Sequence, residues 1–350
     1  MKTVHIAASG DYDVKIGGGL LDTLGSEAAA LLKGRTVCIV SDDTVAALYL
    51  HRAKASLEQA GFTVCTYVFP HGEASKSGEN FLQLLNTLAE QRLTRTDGLV
   101  ALGGGVTGDL TGFAAACYLR GVKYIQVPTS LLAMVDSSVG GKTAIDLPAG
   151  KNLCGAFYQP VLVLCDTDLL QTLPEPVFRD GCAEVIKYGV LGDRQLFDDL
   201  KTGIRDKLEA VVATCVDAKR AVVEEDEFDT GRRQLLNLGH TLGHAVEANS
   251  NFALSHGQAV AIGMAMIAEA AAEKGFCTAG TREEICALLR QYGLPVETDQ
   301  PAEAIIRTAL GDKKRRSNTI TLIVPREVGV CELVPVPVDE LGSWLPKHKR

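Results

Sequence analysis

The sequence predicts an α/β amino-terminal domain followed by a mainly α-helical carboxy-terminal domain. Three observations carry this reading. Short β-branched runs alternate with helical stretches up to about residue 170, a breaker segment Leu173-Pro174-Glu175-Pro176 follows, and most of the chain beyond it has helical periodicity built from good helix formers. The expected domains are therefore 1–172 and 173–350.

In chain order, TVCIVSD reads as a strand, a helix runs from Thr44 to Ala60, FTVCTYVF is a second strand, and a helix runs from Ser77 to Gln91. GLVALGGG is a strand that ends in a glycine turn, and KYIQVP and PVLVLCD add two more strands. Such alternation predicts a mostly parallel sheet with helices on both faces. In the second half, one short extended run, Asn318 to Val324, bounded by the charged DKKRR loop, reads as a late strand. No internal repeat or low-complexity segment interrupts the pattern.

Composition narrows the class. The chain has 350 residues, 46% of them hydrophobic and 22% charged, enough to bury a full core and to divide into two domains. The apolar stretch from Ala259 to Ala272 is too short to span a bilayer, and the amino terminus MKTVHIAASG lacks an apolar signal core. No membrane role and a cytoplasmic location are expected. The ten cysteines are scattered, form no CxxC pair and sit mostly in apolar runs, which fits buried reduced thiols. A net charge of −8 argues against nucleic acid as a partner. Lysines and arginines gathered beside glycines in such an acidic chain point instead to a small anion such as phosphate or carboxylate.

The strand GLVAL runs into Gly103-Gly104-Gly105-Val106-Thr107-Gly108, a GxGxxG string that opens an apolar helix. Glycines there let a pyrophosphate approach the N–H groups of a helix start. The usual dinucleotide fingerprint lies in the first βα unit, with an acid about 20 residues further on. Lys123-Tyr124-Ile125-Gln126 stands there instead, so the string alone fits a tight packing turn equally well. Asp42, at the end of CIVSD, is a candidate for a nucleotide ribose and equally for the N-cap of the next helix.

The densest polar segment runs from Gln126 to Thr143, with Gly150-Lys151-Asn152 after it. GGKT resembles the tail of a phosphate-binding loop, but Asp136 occupies the position of that loop's first glycine. Lys142, Lys151 and Asn152 beside small residues remain suited to grip anionic oxygens, and Arg120 and Asp136 add to a cluster too polar for core packing. Surface loops explain the lysines singly, but explain the cluster poorly.

Three of the seven histidines, His240, His244 and His256, fall close together. His240 and His244 share a helix face at i, i+4, and His256 opens the next apolar helix and can reach back. Glu184 sits in the apolar helix Gly181–Tyr188 with Lys187 one turn away. A buried carboxylate needs a cation, which Lys187 or a metal would supply. Two histidines and one glutamate would leave an open catalytic position.

Together these motifs resemble the 3-dehydroquinate synthase family of the sugar phosphate cyclases. GEASKS, GGGVTGDLTGFAAA, QVPTSLLAMVDSSVGGKTAID, GKN, AEVIKYG, LNLGHTLGHAVE and SHG occur in the family's order, from the SDD of Asp42 to the DKK near Lys313. The resemblance implies a Rossmann-like nucleotide-binding domain ahead of a helical metal- and substrate-binding domain. It implies that NAD lies against Asp42, Glu73, Lys76, Gly104, Gly105, Val106, Asp109, Thr129 and Ser130, with Lys142 and Lys151 nearby, and that Glu184, His240 and His256 hold one zinc or cobalt ion. His244 then faces substrate, a choice the spacing leaves open.

The implied substrate is a seven-carbon sugar acid phosphate held by Asp136, Lys142, Lys151, Asn152, Lys187, Lys219, Arg233, Asn237 and Lys313, with Arg120 reaching its phosphate from the neighbouring subunit of a homodimer. The implied chemistry is transient oxidation by NAD, loss of phosphate, return of the hydride and an intramolecular aldol closure. Two positions depart from the family: Asp229 stands where glutamate is usual, keeping the charge on a shorter side chain with less reach, and Arg232 stands where an apolar residue is common. The competing expectations are a related cyclase that makes 2-deoxy-scyllo-inosose or an epi-valiolone, and a metal-dependent polyol dehydrogenase.

Overall fold

The computed structural model describes residues 1–251, 253–311 and 318–346. The chain divides into two compact units. The first comprises Met1–Pro174 with Leu208–Phe228, and the second comprises Glu175–Lys207 with Asp229–Arg350.

The first unit is built on a seven-stranded sheet of β1 (Lys2–Ile6), β2 (Tyr12–Gly17), β3 (Thr36–Asp42), β4 (Thr63–Phe69), β5 (Gly98–Gly103), β6 (Lys123–Pro128) and β9 (Leu162–Asp166), in the order β1-β2-β9-β6-β5-β3-β4. All pairings are parallel except β1 with β2. The centre of the sheet is continuously apolar because helices cover both faces. Val37 and Ile39 point to one side with Leu24 of α1 (Leu24–Leu31) and Leu57 of α3 (His51–Gln59). Cys38 and Val40 point to the other, with Leu84 of α4 (Gly78–Glu90) and Phe113 of α5 (Gly105–Cys117). The expected helix from Thr44 is a composite of α2 (Asp43–Val45), a π-turn over Ala46–Leu50, and α3.

The β1–β2 hairpin adds to the strands expected from the sequence, although Tyr12, Val14 and Ile16 are buried with the period of two that marks a strand. The lysine-rich segment after β6 folds as an antiparallel hairpin of β7 (Lys142–Leu147) and β8 (Gly150–Phe157).

The second unit is mainly helical, with α6 (Glu175–Gly192), α7 (Arg194–Leu200), α9 (His240–Asn249), α10 (His256–Glu273), α11 (Ala279–Gln291) and α12 (Ala302–Leu310). Its late strand, β10 (Thr319–Glu327), pairs with β11 (Val330–Pro337). Pro335 and Pro337 obscure β11 in the sequence, yet a two-stranded sheet has only edges, where proline is tolerated.

One helix lies on the other side of the expected boundary at residues 172 and 173. α8 (Leu208–Glu225) groups with the sheet unit, packed along β1 and β2. The reason is electrostatic as well as apolar. Buried Lys219 donates to the Asp136 carbonyl at 2.6 Å and to its carboxylate at 2.9 Å, while Glu224 and Glu227 accept the backbone N–H groups of Ala7 and Ser9, each at 2.9 Å. The ten cysteines form no disulfide among the described residues; five are buried and Cys117 is exposed. Among the described residues, no helix is long and apolar enough to cross a membrane.

Candidate functional site

In the first unit, the carboxyl ends of β3, β5 and β6 lie side by side, with Ser41 paired to Leu102 and Gly103 to Pro128. That edge gathers Asp42, Gly104, Gly105, Val106, Thr129 and Ser130. α5 begins at Gly105, and its N-cap, Gly104, supplies no side-chain acceptor to the first N–H groups of the helix, the kind of start that an anion can cap. A Cβ on Gly104 would come 3.6 Å from Ser130 Oγ, so space beside the turn is open to a ligand. These features fit a dinucleotide's phosphates. Asp42 caps the following helix, its Oδ1 accepting from Val45 N at 2.9 Å.

A charged cluster adjoins this edge. Lys76 is buried and lies 2.5 Å from Asp109, 4.0 Å from Glu73 and in hydrogen-bond contact with Asn152. Lys151 reaches Glu73 at 3.8 Å. Burial pushes the Asp109 carboxyl up to about 6, against the pull of Lys76. Burial disfavours the Lys76 charge, but Asp109 and Glu73 more than offset it and raise its pKa. Asp136 lies in a π-turn, Ala133–Ser137, held by Lys219, a local geometry common at functional sites. Lys142 opens β7 as an exposed residue. Arg120 follows α5 at its far end, roughly 20 Å of helix away from Gly104, and is not brought to this cluster within the unit.

In the second unit, close helix packing assembles the histidines. Gly239 has a φ of 78°, and a Cβ there would lie 2.7 Å from Val260 O; one on Gly263 would stand 1.9 Å from Gly239 O. Only glycines permit this approach, which sets α9 directly on α10. Glu184 of α6 then meets both: its Oε1 is 2.9 Å from His256 Nε2 and 3.5 Å from His240 Nε2. In a tetrahedral site with bonds of about 2.1 Å, ligand atoms stand about 3.4 Å apart, so the donor set fits a divalent ion. His240 Nδ1 is 3.0 Å from the Leu238 carbonyl, which can only accept, so Nδ1 carries a proton and Nε2 is the ring atom turned toward Glu184.

Glu184 is fully buried and ionised. Burial opposes its charge, but Lys187, His240 and His256 hold the carboxyl well below the usual range. Lys187 Nζ is 2.5 Å from Glu184 Oε2, so the lysine pair and the histidine pair use different oxygens of one carboxylate. His256 is half-buried, and although its surroundings oppose the charge its pKa is raised to about 10 by Glu184 and Glu247. His244 is exposed, yet its crowded surroundings and the neighbouring His240 and His256 hold its pKa below the ordinary histidine value, so its ring is neutral near pH 7. A second donor group, His244, Glu247 and His256, overlaps the first through His256.

Arg233 is buried and Asn237 half-buried in the turn Arg232–Asn237 that leads into α9. Asp229 adopts a φ of 59° just ahead of it. Lys313 lies outside the described residues. Two acids that the sequence reading left aside, Asp180 and Glu247, also belong to this cluster. The available signals were Asp180's position one turn before Glu184 and Glu247's place at the end of LNLGHTLGHAVE.

Comparison with known proteins gives the same picture. Residues 66–180 match the family described as 3-dehydroquinate synthase N-terminal, and residues 181–315 match 3-dehydroquinate synthase C-terminal. The 3-dehydroquinate synthase of Streptococcus sanguinis (strain SK36) is 43% identical over 344 residues, covering 96% of this chain and 97% of its own. Among solved structures, 2-deoxy-scyllo-inosose synthase complexed with carbaglucose-6-phosphate, NAD+ and Co2+ superposes with a TM-score of 0.86 at 26% identity, over 97% of this chain and 98% of that one. The 2-epi-5-epi-valiolone synthase of Streptomyces hygroscopicus subsp. jinggangensis 5008, with NAD+ and Zn2+ bound, does so with a TM-score of 0.88 at 26% identity, over 97% of each chain. Two family matches that together span residues 66–315, and a relative aligned over nearly the whole chain, leave one assignment: this chain belongs to the 3-dehydroquinate synthase family.

Proposed function

We propose that the chain is a phosphate-eliminating lyase that performs the 3-dehydroquinate synthase reaction on 3-deoxy-D-arabino-heptulosonate 7-phosphate, with NAD and one divalent metal, zinc or cobalt, as cofactors. The observation that carries the reading is the Glu184, His240 and His256 donor set beside buried Lys187, in a chain that also has an open, glycine-started helix at its sheet edge.

When bound, NAD takes up and returns a hydride, and the divalent metal polarises a substrate hydroxyl or ketone oxygen. The protein's part is to bind, orient and stabilise charge. The N–H groups at Gly105 and the Lys76 ammonium hold the dinucleotide's anionic groups. Lys187 sets a fixed positive charge beside the donor set, where negative charge develops as the proton next to the ketone is lost. His244, neutral near pH 7, exchanges hydrogen bonds with a substrate hydroxyl without adding charge. Lys142, Lys151, Asn152, Lys219, Arg233, Asn237 and Lys313 supply the cations and amide donors that a carboxylate and a phosphate require, and Asp136 holds Lys219 in place. The working form in this reading is a homodimer in which Arg120 serves the neighbouring copy, in keeping with its place at the far end of α5.

The decisive assay is phosphate release from the heptulosonate phosphate with catalytic NAD, with and without a chelator, while NADH is monitored. Metal-dependent phosphate release without net NADH is expected. Accumulating NADH would point to a dehydrogenase, and inertness toward this substrate with turnover of glucose 6-phosphate or sedoheptulose 7-phosphate would point to another cyclase.

A further inference from the structure

Asp180 sits on α6 one turn before Glu184. Its Oδ1 accepts from Gly257 N at 2.6 Å, from Gln258 N at 3.2 Å and from the Ser255 hydroxyl. His256 lies between these donors. The first N–H groups of a helix have no intrahelical partners, and a serine just before the helix ordinarily supplies the acceptor from its own side chain. Here Ser255 and Gln258 form a capping box, and a further acceptor, the Asp180 carboxylate, comes from a different helix. Gly257 completes the joint, since a Cβ there would stand 2.1 Å from the Asp180 carbonyl oxygen and no side chain fits between the start of α10 and α6. On the other side, Gln258 Oε1 accepts from Ser255 N at 3.0 Å and closes the turn.

We propose that Asp180 is a positioning residue for the metal: by fixing the backbone on both sides of His256 to the helix that carries Glu184, it sets the 2.9 Å separation of His256 Nε2 and Glu184 Oε1. Metal ligands must be held to within about 0.5 Å of their working geometry, and His256 is the first residue of its helix, where fraying would otherwise loosen it. Carrying the anchor on the same helix as Glu184 makes the two ligands move together. The proposal rests on the reading that Glu184, His240 and His256 hold the metal.

The test is the zinc affinity of the full-length chain, by competition with a chromophoric chelator, alongside circular dichroism and thermal unfolding of the metal-free protein. D180A is expected to weaken zinc binding roughly 10- to 100-fold, the usual consequence of losing a partner that orients a ligand. D180N keeps an oxygen that accepts from Gly257 and Gln258, and is expected to stay within about threefold of the wild type. A folded D180A that binds zinc as tightly as the wild type, with only its unfolding temperature lowered, overturns the proposal and leaves a plain helix cap. Should D180A not fold, D180E decides: its longer side chain forces the start of α10 off α6, and unchanged zinc affinity is again the overturning result. H256A separates the two levels. Wild-type zinc affinity in H256A sinks the ligand assignment itself, whereas zinc loss in H256A beside wild-type affinity in D180A sinks only the positioning role.

Discussion

Lys187 and Glu184, one turn apart on α6, form an ion pair at 2.5 Å with side chains only 1% and 0% exposed. The pair occupies one carboxylate oxygen and leaves the other to His240 and His256. A buried glutamate with cationic partners on both oxygens answers the question that the sequence raised about Glu184. Lysine and histidines both compensate it, and the histidine side has the spacing of a metal site.

Removing Lys187 tests this division. K187M is expected to lower kcat by about 100-fold or more, because a fixed charge near the reacting centre is lost. Breaking a buried ion pair by removing one partner costs about 3–5 kcal/mol, and that loss should appear in full only when a chelator is present. Urea unfolding with and without zinc measures it. An equal loss under both conditions would mean that no metal compensates Glu184.

The two overlapping donor groups make opposite predictions for two histidines. H240A is expected to lose the bound metal, measured as zinc per chain after dialysis, while H244A is expected to retain it and lose activity. Metal loss in H244A with retention in H240A would assign the ion to His244, Glu247 and His256 instead.

At the carboxyl edge of the sheet, Gly104 has an extended backbone, φ −77° and ψ −166°, that alanine also adopts. G104A should therefore leave stability nearly unchanged, within about 1 kcal/mol. Its added methyl group enters the space beside Ser130, so NAD affinity is expected to fall at least about tenfold. Unchanged affinity by fluorescence titration would place the dinucleotide elsewhere.

Asp109 predicts a pH dependence of folding. Its carboxyl, ordinarily near 3.8, is raised to about 6 chiefly by burial. Between those values the folded chain binds more protons at this group than the unfolded chain, so stability from Asp109 falls as the pH rises from about 4 through about 6. The change amounts to roughly 2–3 kcal/mol. Urea midpoints across this window, compared with those of D109N, measure it; D109N should flatten the slope, and an unaltered slope would assign the titration to other groups.

The sequence by itself determined the α/β and helical halves, the glycine-started helix and the chemistry-bearing residue types, because each is written in local periodicity or in a short motif. Strands β3 and β5 are legible as apolar runs, and His240 and His244 share a helix face through their spacing. Only the tertiary structure decided which groups meet. Glu184 and His256 are 72 residues apart, and Lys219 and Asp136 are 83 apart. No local pattern specifies such pairs. The same limit hid the placement of α8, whose buried lysine takes its partners from the sheet unit, and the β7–β8 hairpin, whose glycines and charges read as loop. The role of Asp180 was hidden for the same physical reason. An acid in mid-helix is an ordinary surface residue until another helix brings unpaired N–H groups to it, and that approach is fixed by packing around Gly257, Gly239 and Gly263.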